Sequence, residues 1–190
     1  METENISQED NTPPTLLNHA LRWGLIVGLT SGILSLLLYA VDYSLMADWK
    51  IGLLLFAIYI GLTIYAGISY RKESGPYLAF GKAYQHGFMI FAISGLIATV
   101  FNILLFQVID TELGGKVTEV AIEKTAEMMN NFGAPPDQID KALEDTRERM
   151  TNQYTLMGQL KGYGFIVIVS AVLALITGLI VRKSEPVFDK

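Results

Sequence analysis

Three side chains with proton-binding or hydrogen-bonding chemistry lie in the longest uncharged stretch of the chain: His86, Asn102 and Gln107. An imidazole can bind a metal ion or relay a proton, and a carboxamide can join two helices or line a water-filled path. From Ala83 to Ile109 no residue carries a full charge at neutral pH. As a helix this stretch measures roughly 40 Å, which exceeds the roughly 30 Å of a bilayer core. The three polar groups therefore lie in a predicted membrane span, where each costs free energy unless it finds a partner.

Each of these residues has a structural interpretation and a functional one. His86 follows Lys82 by about one helical turn, which favours a hydrated imidazole at the membrane interface. Asn102 lies deeper, and we interpret it as an interhelical hydrogen bond worth about 0.6 to 2 kcal/mol. The alternative is a polar path lined by Asn102, Gln107 and His86. Because four spans hardly enclose a pathway alone, that path would require self-association.

Motifs for enzymatic chemistry are missing from the sequence. It contains no glycine-rich phosphate loop, no dinucleotide fingerprint and no Gly-Xaa-Ser-Xaa-Gly element. His19 and His86 are far apart, and neither has a metal-binding residue at helical spacing. An intramembrane protease or a proton pump usually needs an acid or a histidine pair at membrane depth. We therefore expect no catalytic residue, no cofactor and no metal site, and a protein that is not an enzyme.

The composition indicates a membrane protein. Of 190 residues 51% are hydrophobic, and they are grouped in four runs of spanning length, at 23–41, 51–70, 83–109 and 162–181. The net charge is -5, and no cluster of Lys and Arg contains interleaved aromatic residues, which argues against nucleic-acid binding. Cysteine is absent, so the chain has neither a disulfide framework nor a thiol nucleophile.

The polar segment between the third and fourth runs predicts a helical hairpin. Two helical patterns of apolar residues flank Gly133, which suits the end of one helix, and a following proline suits the start of the next. The predicted fold is all-α, with four transmembrane helices in a membrane domain at 21–190 and an extramembrane hairpin at 111–160. The two apolar stripes of the hairpin are predicted to pack on each other, with a partner protein or the membrane surface as alternatives.

The first twenty residues are polar and acidic, and they predict a disordered tail at 1–20. They lack the basic start and apolar core of a secretory signal. We therefore expect the first span to be retained as a membrane anchor.

Two of the predicted spans carry small residues at four-residue spacing, which places them on one helix face. Small side chains let two backbones approach closely within a membrane. We interpret both faces as packing surfaces within the bundle, with a homo-oligomer seam as the alternative. The residues are Gly24, Gly28 and Gly32 in the first span and Ser170, Ala174 and Gly178 in the fourth.

The distribution of positive charge predicts the orientation. Lys and Arg near span ends and in short loops favour the cytoplasmic side. Four spans place both termini on one side, where seven such residues collect. The other side has seven as well, but its polar segment from Asp110 to Lys161 also carries ten acidic residues, and few of its basic residues lie close to span ends. We therefore expect both termini to be cytoplasmic and the hairpin at 111–160 to be extracytoplasmic. The seven on the side of the termini are Arg22, Arg71, Lys72, Lys82, Arg182, Lys183 and Lys190.

Several short motifs resemble the domain of unknown function family 4199. They are Phe80-Gly81-Lys82-Ala83 with Gly87, Phe101-Asn102, Ile109-Asp110 and, after the two-helix insertion, Arg182-Lys183. Thr111 departs from the proline that this pattern has after Ile-Asp. The resemblance implies a four-span protein of a bacterial inner membrane, mostly in Gram-negative cells, and it transfers no activity.

The favoured function is therefore a non-enzymatic interaction or scaffold protein of the membrane. It would sit in the lipid bilayer and bind a protein partner through the hairpin, with a homo-oligomer through the small-residue faces as a further possibility. The alternative function is a small oligomeric carrier or channel with a polar path along the third span.

Overall fold

Helices make up most of residues 14–185, the part of the chain that this computed structural model describes. A 3-10 turn (Tyr43–Ala47) joins the first two helices, and a π-helical turn (Leu105–Ile109) extends the third. The helices are α1 (Leu16–Asp42), α2 (Trp49–Ser74), α3 (Phe80–Leu104), α4 (Leu113–Asn131), α5 (Pro136–Gln153) and α6 (Leu156–Val181).

Four helical stretches are long and apolar enough to cross a membrane: Leu16–Ala47, Trp49–Ser74, Phe80–Ile109 and Leu156–Val181. This finding confirms the predicted all-α membrane protein with four spans. The stretches are longer than the predicted runs, because polar and capping residues continue each helix beyond its apolar part.

The start of α1 differs from the prediction. Thr15 caps the helix, because its side-chain oxygen accepts a hydrogen bond of 3.3 Å from the backbone N–H of Asn18. Residues 16–20 are therefore helical rather than part of the tail predicted for 1–20, and residues 1–13 lie outside the described residues.

The glycine face of α1 is filled by α3. A Cβ atom built on Gly24 would lie 2.8 Å from Ile93 Cβ, and one built on Gly28 would lie 2.8 Å from Ile97 Cβ. Carbon atoms in contact lie about 3.5 to 4.0 Å apart, so only glycine permits this approach. Gly32 faces an aromatic ring of α3 in the same way. In this structure the glycine face of α1 is therefore a packing surface within the bundle.

The helices α1 and α3 run parallel, since the contacting residues increase together along both. The hydrogen bonds between His19 and His86 and between Ser35 and Asn102 each join residues 67 positions apart. The start of α1 and the start of α3 therefore lie at the same end of the bundle.

The small-residue face of α6 also packs on α3. Ser170, Ala174 and Gly178 are all buried, and a Cβ atom on Gly178 would lie 3.2 Å from the backbone of Tyr84. Gly87 of α3 meets α6 in return. Because α1, α2 and α6 all contact α3, this helix is the centre of the bundle.

The end of α2, the start of α3 and the end of α6 meet near the start of α1. Leu78 and Lys183 exchange two backbone hydrogen bonds, of 2.9 and 3.0 Å. The Arg71 guanidinium donates a 2.6 Å hydrogen bond to the carbonyl of Val181. The start of α1 and the end of α6 thus lie at one end of the bundle, which we call the terminal end.

The helices α4 and α5 join the third and fourth spans at the other end. They pack on each other, and Arg147 of α5 donates a 2.6 Å hydrogen bond to the carboxylate of Glu119 on α4. Gly133, with φ +70°, follows α4, and Pro136 opens α5, as predicted from these residue types. A buried cluster that includes Leu113 and Phe106 packs the base of α4 on the end of the third span.

Candidate functional site

The two histidines of the chain lie side by side at the terminal end. His19 Nδ1 is 2.8 Å from His86 Nε2, so one of these nitrogens donates a hydrogen bond to the other. The residues are 5% and 1% exposed. The prediction of a hydrated His86 at the interface is therefore wrong. The two histidines are far apart in the sequence, and the parallel packing of α1 and α3 brings them together.

Each imidazole belongs to the interior face of its helix. His19 and Ala20 begin the buried stripe of α1 that continues through Gly24, Val27 and Gly28. This stripe has helical periodicity and faces α3 along its whole length. The imidazole of His19 therefore fills the end of a seam whose other positions are glycine, alanine and valine.

His86 occupies the matching place on α3. It lies between Ala83 and Ile90 on the buried face of that helix. The parallel packing of α1 and α3 brings it level with His19, and the small neighbours of both residues let the two rings meet.

Aromatic rings and one carboxylate surround the pair. The Tyr70 ring stacks on His86, with centroids 4.8 Å apart and an interplanar angle of 9°, and the Trp23 ring lies 6.2 Å from His19. Glu73 Oε1 lies 3.7 Å from His19 Nε2. That nitrogen is buried and has no hydrogen-bond partner among the described residues. The three side chains therefore form a row, Glu73–His19–His86. The His19 ring lies in the middle, with Nε2 facing Glu73 and Nδ1 facing His86.

This row is not arranged to hold a metal ion. Glu73 faces Nε2 of His19, whereas His86 faces Nδ1 on the other side of the same ring. Metal ligands must converge on one point, and these three side chains do not. Within residues 14–185, no group of three or more His, Cys, Asp or Glu side chains is placed to bind a metal ion.

Asn102 and Gln107 lie toward the other end of the third span, away from the histidines. Ser35 Oγ of α1 is 3.4 Å from Asn102 Oδ1, which matches the interhelical hydrogen bond expected at this depth. Gln107 is exposed, and its Nε2 donates a 2.6 Å hydrogen bond to the carbonyl of Tyr154. The three polar residues of the third span therefore do not form one continuous lining.

A cleft of about 550 Å³ opens beside Asn102, between the end of the third span and the start of α6. Its walls combine the rings of Phe106 and Tyr163 with the carboxamides of Asn102 and Gln159. Gln159 Oε1 is buried without a hydrogen-bond partner among the described residues. An apolar hollow with a few polar groups is the usual form of a small-molecule site.

Tyr154 closes one side of this cleft. Its ring stacks on Phe106 with centroids 4.4 Å apart, and burial raises the pKa of Tyr154 to about 12. The phenol is therefore neutral at physiological pH. Lys161 supplies a cation to the same lining.

Two ion pairs hold α4 to the rest of the molecule. Lys116 Nζ lies 3.1 Å from Asp110 Oδ2, and this hydrogen bond lowers the pKa of Asp110 below its usual range. Lys124 Nζ lies 3.2 Å from Asp48 Oδ2 and donates a hydrogen bond to the carbonyl of Ser44. The pKa of Asp48 is also lowered, first by a hydrogen bond from the backbone N–H at the start of α2 and then by Lys124.

Four apolar helices long enough to span a membrane, packed around the third of them and with a buried histidine pair at one end, define a multi-pass membrane protein. A protein-family model described as "Protein of unknown function (DUF4199)" matches residues 22–183. The chain belongs to this family, which confirms the resemblance seen in its motifs. The match includes His86 and leaves His19 outside. No curated protein and no solved structure matches the chain.

Proposed function

We propose that this protein is a non-enzymatic interaction protein of the bacterial inner membrane, and that α4 and α5 form an extramembrane hairpin that binds a protein partner. The observation that carries this proposal is Phe132, which lies just after α4 and is 85% exposed. Met128, one turn earlier, is 48% exposed. Exposed aromatic and Met side chains are enriched in protein interfaces, where a few of them supply most of the binding energy.

The way in which the hairpin is attached supports a binding role. The inner parts of its apolar stripes are covered, because Leu113 and Val117 are buried against the bundle and Ile139 is buried on α5. The Lys124 ion pair and the Lys116 ion pair fix α4 at two points. A hairpin that is rigidly attached to the bundle loses less conformational entropy when a partner binds.

The proposed orientation places both termini in the cytoplasm and the hairpin outside. Arg22, Arg71 and Lys183 belong to elements that meet at the terminal end, and positive charge near span ends favours the cytoplasmic side. The sequence contains no cysteine, so a single introduced cysteine can be labelled without background. In intact cells we expect a membrane-impermeant maleimide to label Gln138→Cys and to leave Ser74→Cys unlabelled. The reverse pattern would invert the topology.

The binding role is tested by photo-crosslinking in native membranes. A photoreactive phenylalanine analogue at position 132 conserves the aromatic ring, and the same analogue at Gln138, which is also exposed on the hairpin, is the matched control. We expect one discrete adduct from position 132. An excess of wild-type protein should compete this adduct away, whereas an excess of Phe132→Ser protein should leave it. Equal yields from both positions, or no adduct from position 132, would contradict the proposal.

A second candidate function is a small oligomeric carrier, and the cleft beside Asn102 is the observation that favours it. Thr99 in the cleft wall and Ser94, one turn closer to the terminal end, are both buried, and each donates a hydrogen bond to a carbonyl of its own helix. These two hydroxyls therefore already have partners and do not extend the cleft as a polar lining. Labelling of Asn102→Cys by the same impermeant maleimide, together with a cross-linked homo-oligomer, would favour the carrier function over the interaction function.

A further inference from the structure

We propose that His19 and His86 form a proton-binding site that takes up one proton from the aqueous phase at the terminal end of the bundle and shares it between the two imidazoles. The site requires no metal ion and no cofactor. It is independent of the hairpin at the other end of the molecule.

The positions of the ring nitrogens carry this inference. A neutral imidazole has one N–H and one lone pair. The hydrogen bond between His19 Nδ1 and His86 Nε2 needs one proton between the rings. A second proton on His19 gives it two N–H groups, one directed at His86 and the other at Glu73, 3.7 Å away. Uptake adds one proton and one positive charge, changes no other bond, and the carboxylate of Glu73 balances the charge.

Exposure along the row shows where the proton enters. The side chain of Glu73 is 46% exposed, whereas that of His19 is 4% exposed and His86 is 1% exposed. The carboxylate is held in place by a 2.8 Å hydrogen bond from Ser69. A proton can therefore reach His19 from water by way of Glu73.

The row ends at His86. The next residues on the buried face of α3 are Ile90 and Phe91, both 0% exposed, and neither accepts a proton. The first polar side chain beyond them is Ser94, two turns further along, and its hydroxyl is already bonded to backbone carbonyls of α3. The geometry thus describes a closed binding site rather than a path across the membrane.

The charged groups around the pair favour Glu73 as its counter-ion. The guanidinium of Arg71 is engaged by the Val181 carbonyl, and Lys82 is exposed. Within α6 no titratable residue follows Tyr163, so that helix brings no charge to the pair. Arg22, one turn from His19, opposes proton uptake, and burial opposes it too. The titratable and charged groups at this end of the bundle are Arg22 on α1, Tyr70, Arg71, Lys72 and Glu73 on α2, Lys82 on α3, and Arg182 and Lys183 directly after α6.

Proton uptake would strengthen the attachment of α1 to α3. A hydrogen bond in which one partner is charged is roughly twice as strong as one between neutral groups. The pair lies at the very start of α1, where the helix has few other polar contacts with α3. Acidification on the side of the termini would therefore tighten this end of the bundle.

Trp23 provides the test, because its ring lies 6.2 Å from His19 and a protonated imidazole quenches indole fluorescence. The chain has two tryptophans, and Trp49→Phe leaves Trp23 as the only reporter. With the full chain in lipid nanodiscs, we expect its fluorescence to fall in one transition between about pH 8 and about pH 4, the range in which imidazoles titrate. The far-UV circular dichroism should not change across it.

Three variants in this background decide the outcome. His86→Gln, which retains a hydrogen-bonding group beside His19, and His19→Gln should each change the transition, the second abolishing it. Glu73 is exposed, so Glu73→Gln is not expected to impair folding. Because it removes the counter-ion, we expect it to move the midpoint of the transition to lower pH by about 0.2 to 0.7 units. Glu144→Gln is the control, and its midpoint should not shift. A titration that is flat, that persists in His19→Gln, or that is identical in Glu73→Gln and Glu144→Gln would overturn the proposal.

Discussion

Replacing Gly28 by alanine is expected to destabilise the protein, although the change adds a single methyl group. The new Cβ atom would lie 2.8 Å from Cβ and 2.9 Å from Cδ1 of Ile97. Carbon atoms in contact lie about 3.5 to 4.0 Å apart, so the two atoms must separate by roughly 1 Å. Ile97 is β-branched and its Cβ is fixed to the backbone of α3, so the helices themselves must part.

The loss of folding free energy can be estimated from this displacement. A gap of about 0.5 to 1 Å forfeits a quarter to a half of the dispersion attraction between the atoms that face it, and overpacking of a close-packed interior costs about 1 to 3 kcal/mol. The ratio of folded to unfolded protein should fall roughly 5- to 150-fold. Gly61→Ala is the matched control, because Gly61 lies in α2 with no atom within 4 Å of an added Cβ.

The assay is reversible unfolding in mixed micelles with increasing sodium dodecyl sulfate, followed by circular dichroism. We expect the unfolding midpoint of Gly28→Ala to fall at a lower denaturant fraction than that of the wild type, and that of Gly61→Ala to remain within error of the wild type. Equal midpoints for the two alanine variants would show that α1 does not depend on close approach to α3, and the packing argument would be refuted.

Three further predictions concern single contacts. Lys124→Met should speed hydrogen–deuterium exchange in α4 but not in α3, because it removes an ion pair and a hydrogen bond to the loop after α1; unchanged exchange in α4 would mean that these contacts do not hold it. Ser35→Ala should cost less than about 1 kcal/mol by the same unfolding assay, since interhelical hydrogen bonds in membranes average about 0.6 kcal/mol; a larger loss would assign Asn102 a greater role. For Asp110→Asn, the hydrogen bond from Lys116 lowers the pKa of the wild-type carboxyl. The stabilisation from this ion pair is therefore present at neutral pH and is lost as the pH falls through that lowered pKa, so the stabilities of the wild type and the variant should differ at neutral pH and converge once the carboxyl is protonated.

The fold was predictable from the sequence because its main determinant is local. A run of about twenty apolar residues without charge specifies a spanning helix whatever surrounds it. Gly133 and Pro136 similarly mark the ends of α4 and α5 by their own backbone preferences. The ends of the spans were less predictable. The helix α1 already includes residues 16–20 because Thr15 caps it, and a hydropathy pattern contains no information about capping.

The histidine pair was not predictable in this way, since it depends on how two helices align. The sequence does contain a partial signal: His19 lies beside Ala20 on the face that carries Gly24 and Gly28, and His86 lies beside Gly87 on the face that α6 and α1 both contact. Helical periodicity thus places each histidine toward the interior. It does not say which residues of α3 lie level with the start of α1.

That alignment is fixed by two hydrogen bonds at opposite ends of the same seam. His19–His86 and Ser35–Asn102 both join residues 67 positions apart, and sixteen residues, about 24 Å of helix, separate them along α1. The glycine face between them is smooth and would accept α3 displaced by one turn, because small residues recur every four positions. A displacement by one turn would break both hydrogen bonds and leave two imidazoles and a carboxamide unpaired inside the membrane. The glycines therefore set how close the helices lie, and the polar pairs set their register. The histidine pair accordingly has a structural role in the neutral state, to which proton binding adds a dependence on pH.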